Sequence, residues 1–156
     1  AGRGRPGRSR VLRAFLARHR RIAFDTSIFI YHLEANPAYV DLTGEVFSWL
    51  ERPSSKAVTS TLTMTELLVH PCRESDEQRV NQYYGLLSSF PNLDWIAPDL
   101  AIADEAARIR ARHRLRTPHA LQVATAIRAG ASALLTNDAE IARVNEVDVA
   151  ILDQLR

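Results

Sequence analysis

The 156-residue chain has a single cysteine, Cys72. That excludes an internal disulfide framework and any zinc cluster built on cysteines. No apolar run approaches the roughly 18 residues a membrane span needs. The first residues are basic but lack the apolar stretch of a secretory signal, so the expectation is a cytoplasmic chain with no membrane association. Gly2, Gly4 and Gly7 do spell G-x-G-x-x-G, but in an Arg- and Pro-rich stretch outside any strand–turn–helix pattern, so the match carries no dinucleotide-binding reading, and the sequence has no P-loop. Acids are missing from the start of the chain. Eight arginines and no carboxylate precede Ile22, so all 18 acids lie downstream against 12 basic residues, and the net charge of +2 divides into +8 and −6. A basic arm on an acidic body can bind nucleic acid or an acidic partner chain. It can equally be a leader with no role, or the product of an overlong translation start. Arginine outnumbers lysine throughout.

What is present suits one domain with a sizeable core: the apolar fraction is 46%. Residues 1–9, rich in Gly, Pro and Arg, are expected to be disordered. Val11, Leu12, Phe15 and Leu16 have the spacing of a short basic helix. The division drawn from this is a basic, flexible arm over 1–20 and a folded domain over 21–156. Short strands are expected over 22–24, 56–59, 93–97, 132–135 and 147–152, alternating with helices over 26–33, 39–50, 61–69, 74–89, 99–113, 117–129 and 139–144. Pro71 is expected to close its helix. Thr117 reads as an N-cap with Pro118 at the first helical position, and Gly130 as the residue that ends that helix. Val80, Tyr83, Tyr84, Leu86 and Leu87 are assigned to one inner face, and Leu100, Ile102, Ala103, Ala106 and Ile109 to another. Short strands alternating with helices favour an α/β fold with a parallel sheet covered on both faces.

Three acids stand where an acid is costly for packing. Asp25 follows the buried strand Ile22-Ala23-Phe24, at the end where α/β sheets bind ligands. Glu66 is embedded in an apolar helix. Asp138 follows the strand ending Leu134-Leu135. Buried carboxylates need partners. A hard divalent ion, Mg²⁺ or Mn²⁺, would satisfy several at once, make a nucleophile of water and neutralise charge on a phosphoryl group. From spacing alone the plainer alternatives stay open: helix N-caps at Asp25 and Asp138, and an ordinary ion pair at Glu66.

The order Phe24-Asp25-Thr26-Ser27, Thr65-Glu66, Thr117-Pro118-His119-Ala120-Leu121-Gln122-Val123-Ala124-Thr125-Ala126, Gly130 and Leu134-Leu135-Thr136-Asn137-Asp138 resembles the PIN domain, and more narrowly the VapC-like ribonuclease toxins. The resemblance covers residues 21 to about 152. It implies a three-layer α/β/α sandwich with a central parallel sheet, and a Mg²⁺- or Mn²⁺-dependent endoribonuclease. It also implies a homodimer silenced by a small antitoxin protein. Asp25, Glu66 and Asp138 match the metal-binding acids. Thr26, Ser27, Thr136 and Asn137 match the polar lining.

One position departs from the family pattern. Where it reads Thr-Pro-Asp-Ala, this chain has His119. A neutral imidazole ligates Mn²⁺, and suits Zn²⁺ or Ni²⁺ better than Mg²⁺. Three outcomes follow: a working ligand with altered metal preference, a slower one-metal enzyme, or a catalytically impaired RNA-binding module. His32, His70 and His113 have no ligand spacing. Tyr83, Tyr84 and Trp95 read as core or interface residues. Arg112, Arg114 and Arg116 belong to an arginine run that leads into the helix bearing His119. They are either a solvated helix end or a rim that contacts RNA phosphates.

Overall fold

The computed structural model describes residues 9–156. The disorder expected over 1–9 therefore lies, but for Ser9, outside the described residues. Five parallel strands form one sheet: β1 (Arg21–Phe24), β2 (Lys56–Ser60), β3 (Leu93–Ile96), β4 (Ala133–Thr136) and β5 (Asp148–Ile151). Their spatial order is β3-β2-β1-β4-β5. The chain thus builds outward from β1 on one side, then crosses over to add β4 and β5 on the other. Register pairs Ile22 with Ala57 on β2 and with Ala133 on β4.

Alternation along β1 and β4 explains the two cores. Ile22, Phe24, Ala133 and Leu135 point to one face, where they meet α1 (Arg10–Arg18), α2 (Thr26–Leu33), α3 (Val40–Leu50), α4 (Thr61–Arg73) and α5 (Glu77–Ser89). Ala23 and Leu134 point to the other, against α6 (Leu100–His113) and α7 (Thr117–Arg128). Successive strand residues face opposite sides, so a strand buried on both reads as a continuous apolar run. This is the expected three-layer α/β/α arrangement. The first core holds an aromatic group: Phe24 lies edge-on to Phe29 and Phe47, and Trp95 stacks on Phe29 at 6.1 Å.

The boundary expected at residue 20 moves toward the N-terminus. Leu12, Phe15 and Leu16 of α1 are 0%, 3% and 3% exposed and belong to the first core. Ser9 caps this helix by accepting the Leu12 N–H at 3.1 Å, and its hydroxyl donates to the Leu155 carbonyl at the far end of the chain. The helix is therefore part of the folded unit, although its only charged residues are arginines.

Other local expectations also change. The α4 helix runs through Pro71 to Arg73. Pro71 gives up one backbone donor only in the last turn, where its buried ring packs inward and Glu74 N–H still reaches the His70 carbonyl. In α7, Arg116 is the N-cap and Thr117 already helical, so Pro118 is one residue further in. The first turn has no intrahelical use for its N–H groups, so proline fits there too. Gly130 ends α7 at φ +69°, with Ala131 N–H returning to the Ala126 carbonyl. Of the face assigned to α5, Leu87 is buried, whereas Tyr84 and Leu86 are 56% and 53% exposed. Leu100, at the start of α6, is 90% exposed, and Ala103 faces outward with it. No helix among the described residues is long and apolar enough to cross a membrane.

Candidate active site

The site lies where β1 and β4 are neighbours and their following segments diverge, the switch point at which open α/β sheets form a crevice. Asp25 continues the ladder past β1, its N–H donating to the Leu135 carbonyl at 3.0 Å. It stands at the N-cap of α2, yet its carboxylate does not cap the helix. Instead Oδ2 accepts from the hydroxyls of Thr136 at 2.8 Å and Ser27 at 3.1 Å. Asp25 is only 6% exposed, so two neutral donors hold a nearly buried charge. Thr136 also accepts the Asp138 N–H at 3.0 Å, and one hydroxyl thereby ties the two strand-end acids together.

Glu66 approaches from α4. Its Oε1 accepts from Thr26 at 2.9 Å. Burial pushes this carboxyl above its ordinary value. The Thr26 hydrogen bond pulls it back, the Asp25 charge raises it again and His119 opposes that rise. Beneath Glu66 runs a polar ladder that sequence reading passed over. Gln122, 2% exposed on α7, donates to Thr63 at 2.9 Å, and Thr59 donates to the Phe24 carbonyl at 2.8 Å. Thr59 and Thr63 lie 2.9 Å apart, so a Thr63 proton can complete the run from Gln122 to β1. These residues fasten α2, α4 and α7 under the acids.

His119 enters from the first turn of α7. Its Nε2 is 3.0 Å from Asp138 Oδ2, and its Nδ1 is 3.0 Å from Glu140 Oε2. The second contact has ion-pair distance but not hydrogen-bond alignment, so Nδ1 is buried with no hydrogen-bond partner. Asp138 Oδ1 accepts the Glu140 N–H at 2.9 Å. Glu140 is also paired with Arg116 at 3.2 Å and Arg143 at 3.1 Å. His119, Asp138 and Glu140 each offer a ligand atom within 4.8 Å of the others, a set able to hold a metal ion. Glu140 was missed because an acid two residues past Asp138 looks like part of a solvated turn.

The remaining expected residues fall in different places. Asn137 braces the site. Its backbone N–H donates to Ser27 at 3.2 Å, its side-chain amide donates to the Tyr31 hydroxyl at 3.1 Å, and its side-chain Oδ1 accepts the Asp153 N–H at 3.0 Å. Arg116 reaches the site through Glu140. Arg112 turns instead to Glu146 at 3.0 Å, and Arg114 forms the left-handed cap of α6 at φ 55°. His113 shares Glu146 at 2.7 Å. Burial would raise the Glu146 carboxyl, but the His113 hydrogen bond, backbone N–H groups and Arg112 together hold it down to about 2. His32 is half-buried against Thr43, and His70 is an exposed partner of Glu74.

Solved structures of similar architecture include three toxin–antitoxin complexes. VapBC-1 from nontypeable Haemophilus influenzae is 19% identical with a TM-score of 0.67, covering 85% of this chain and 98% of that one. VapBC2 from Rickettsia felis, bound to a DNA fragment from its promoter, is 14% identical with a TM-score of 0.65, covering 84% and 98%. A Klebsiella pneumoniae toxin–antitoxin complex is 23% identical with a TM-score of 0.61, covering 84% and 97%. At these identities the likeness is one of fold. A search among curated proteins gave no match. The PIN domain profile matches residues 22–147, from the first residue of the buried strand run to the edge of β5, and with the acids of that pattern gathered at one sheet end, the chain belongs to the PIN domain family.

Proposed function

We propose that this protein is a metal-dependent ribonuclease that hydrolyses RNA phosphodiesters, acting in the cytoplasm as the toxin of a toxin–antitoxin pair. The observation that carries the reading is a chain of contacts at the sheet end: Thr136 donates to Asp25 and accepts the Asp138 N–H, His119 stands 3.0 Å from Asp138, and Thr26, next to Asp25, donates to Glu66. The solved complexes of similar fold, each a toxin with its antitoxin, support a small antitoxin as partner. A homodimer is expected from the family resemblance.

Asp25, Glu66 and Asp138 would hold Mg²⁺ or Mn²⁺, with His119 at the fourth corner. The donor set fits such an ion in its carboxylate oxygens, brought from separate elements of the fold. When bound, the ion supplies positive charge against the phosphoryl oxygens and lowers the pKa of water. The protein's own groups do the rest. Ser27 and Thr136 fix Asp25 in one orientation. Glu66, held by the Thr26 hydroxyl, is the carboxylate that would orient the attacking water. Arg116 and Arg143, at the rim beside Glu140, are placed to meet phosphates of the strand.

A second reading is favoured by one contact. His119 lies between two carboxylates, so a protonated ring would neutralise the corner from within. The fold would then serve as an RNA-binding module of reduced or no activity. RNA cleavage by the purified protein, with Mg²⁺ and then Mn²⁺, beside Asp25→Asn and His119→Asp, separates the two. Cleavage that needs metal and is lost in Asp25→Asn supports the nuclease. Cleavage seen only in His119→Asp supports the impaired module, and silence in all three, on a broad RNA panel, refutes the nuclease.

A further inference from the structure

We infer that His119 is a direct metal ligand through Nε2, that Glu140 is the positioning residue behind it, and that this corner therefore selects a transition ion over Mg²⁺. The inference rests on the reading of the acid cluster as a metal site and adds the identity of the metal and of a residue outside that cluster.

Three observations lead there. Nε2 and Asp138 Oδ2 stand 3.0 Å apart and face the same side of the corner. Two donors bonded to one ion at roughly 2.0–2.2 Å lie about that far apart, so both can ligate with little movement. Nδ1, at the opposite edge of the ring, is buried and faces Glu140 at 3.0 Å. An imidazole that ligates through one nitrogen keeps the proton on the other, and a carboxylate behind it fixes tautomer and ring plane. A small rotation of the ring, which ligation at Nε2 would impose, aligns that proton with Glu140. Finally, Glu140 is already committed: Arg116 and Arg143 grip its two oxygens. A carboxylate held by two guanidinium groups is a poor ligand and a good fixed acceptor. Although Glu140 lies within ligand range, its place is behind the histidine.

The chemical consequence is specificity. A carboxylate at this position is a hard donor that Mg²⁺ accepts. An imidazole nitrogen is not, and it favours Co²⁺, Ni²⁺ and Zn²⁺. With the Nδ1 edge of the ring turned to Glu140, the Nε2 edge is the one presented to Asp138.

The test is proton NMR of the Co²⁺-loaded protein, with Co²⁺ and Mg²⁺ affinities measured by calorimetry in parallel. The parent should show a contact-shifted, solvent-exchangeable proton from Nδ1–H. His119→Asp should lose it, and with it most of the preference for Co²⁺ over Mg²⁺. Glu140→Ala should keep the signal but exchange it faster with water, and bind Co²⁺ roughly 10–100-fold more weakly with Mg²⁺ affinity unmoved. Glu140→Gln, which retains an oxygen for Nδ1–H, should recover part of that loss. Co²⁺ bound by the parent without such a signal overturns the inference, as does a Co²⁺ preference unchanged in His119→Asp. A parent that shows the signal yet cleaves no RNA refutes the nuclease reading alone. Metal-dependent cleavage without the signal refutes this inference alone.

Discussion

Alanine at Leu12 or Phe15 should show that the basic leading helix is part of the folded unit. Both side chains are essentially inaccessible, at 0% and 3% exposure, and pack in the aromatic-rich core against β1 and β4. Truncating a buried leucine to alanine costs about 2–5 kcal/mol, and a buried phenylalanine about 3–5, because the lost transfer energy is joined by the cavity left behind. A domain of this size has about 5–15 kcal/mol in total. Either single variant should therefore lower the urea midpoint clearly, and the double variant should leave little folded protein. Val11, on the same helix, is 49% exposed and supplies the control, for which alanine should change stability by no more than about 0.5 kcal/mol. Urea unfolding followed by circular dichroism, with tryptophan fluorescence from Trp49 and Trp95 in the same core, reads the parent and all four variants. If Leu12→Ala unfolds with the midpoint of Val11→Ala, the helix does not contribute to the fold and the argument for extending the domain to Ser9 is wrong.

Glu66→Gln should stabilise the metal-free protein at pH 7 while abolishing cleavage. The folded state raises this carboxyl, chiefly by burial, so its ionised form costs stability above the ordinary carboxyl value and the cost fades as pH falls below it; thermal melts of parent and variant across pH 4–8 should converge at the acid end. Glu146→Gln should have the opposite sign. Its carboxyl is held down at about 2 from 4.5, so the stabilisation is full above 4.5 and lost between 4.5 and 2, on the order of 1 kcal/mol after solvent screening at this partly exposed position; equal melting of variant and parent at pH 7 would refute it. Thr136→Val should cost about 1–3 kcal/mol, because Asp25 loses a donor and the Asp138 N–H its acceptor, whereas Thr136→Ser should recover most of both stability and metal affinity.

The strand-end acids were legible because two local patterns coincide at each: a short apolar run and a polar residue at its end. Glu66 was legible as a charge inside an apolar helix. What escaped has physical reasons. Thr59, Thr63 and Gln122 carry no charge, and a buried hydroxyl or amide betrays itself only through the partner it finds across the fold. Glu140 takes its meaning from His119, 21 positions earlier, which no local spacing reveals. The leading helix was read as an arm because eight arginines and no acid precede Ile22, while its place in the fold depends on three buried side chains, Leu12, Phe15 and Leu16. Leu100 and Ala103 misled in the other direction: they have the right spacing, but the helix turns that edge to solvent.

The sheet order has a consequence in time. Asp25 and Thr136 touch across 111 positions of chain, and β1 cannot gain its second neighbour until β4 exists. At roughly 5–20 residues per second, a ribosome needs about 6–22 s to travel from one to the other. For part of that interval the nascent chain holds Asp25 and Glu66 without His119, and for all of it the chain lacks Asp138. Whatever the finished site does, an unfinished chain emerging beside messenger and ribosomal RNA cannot do.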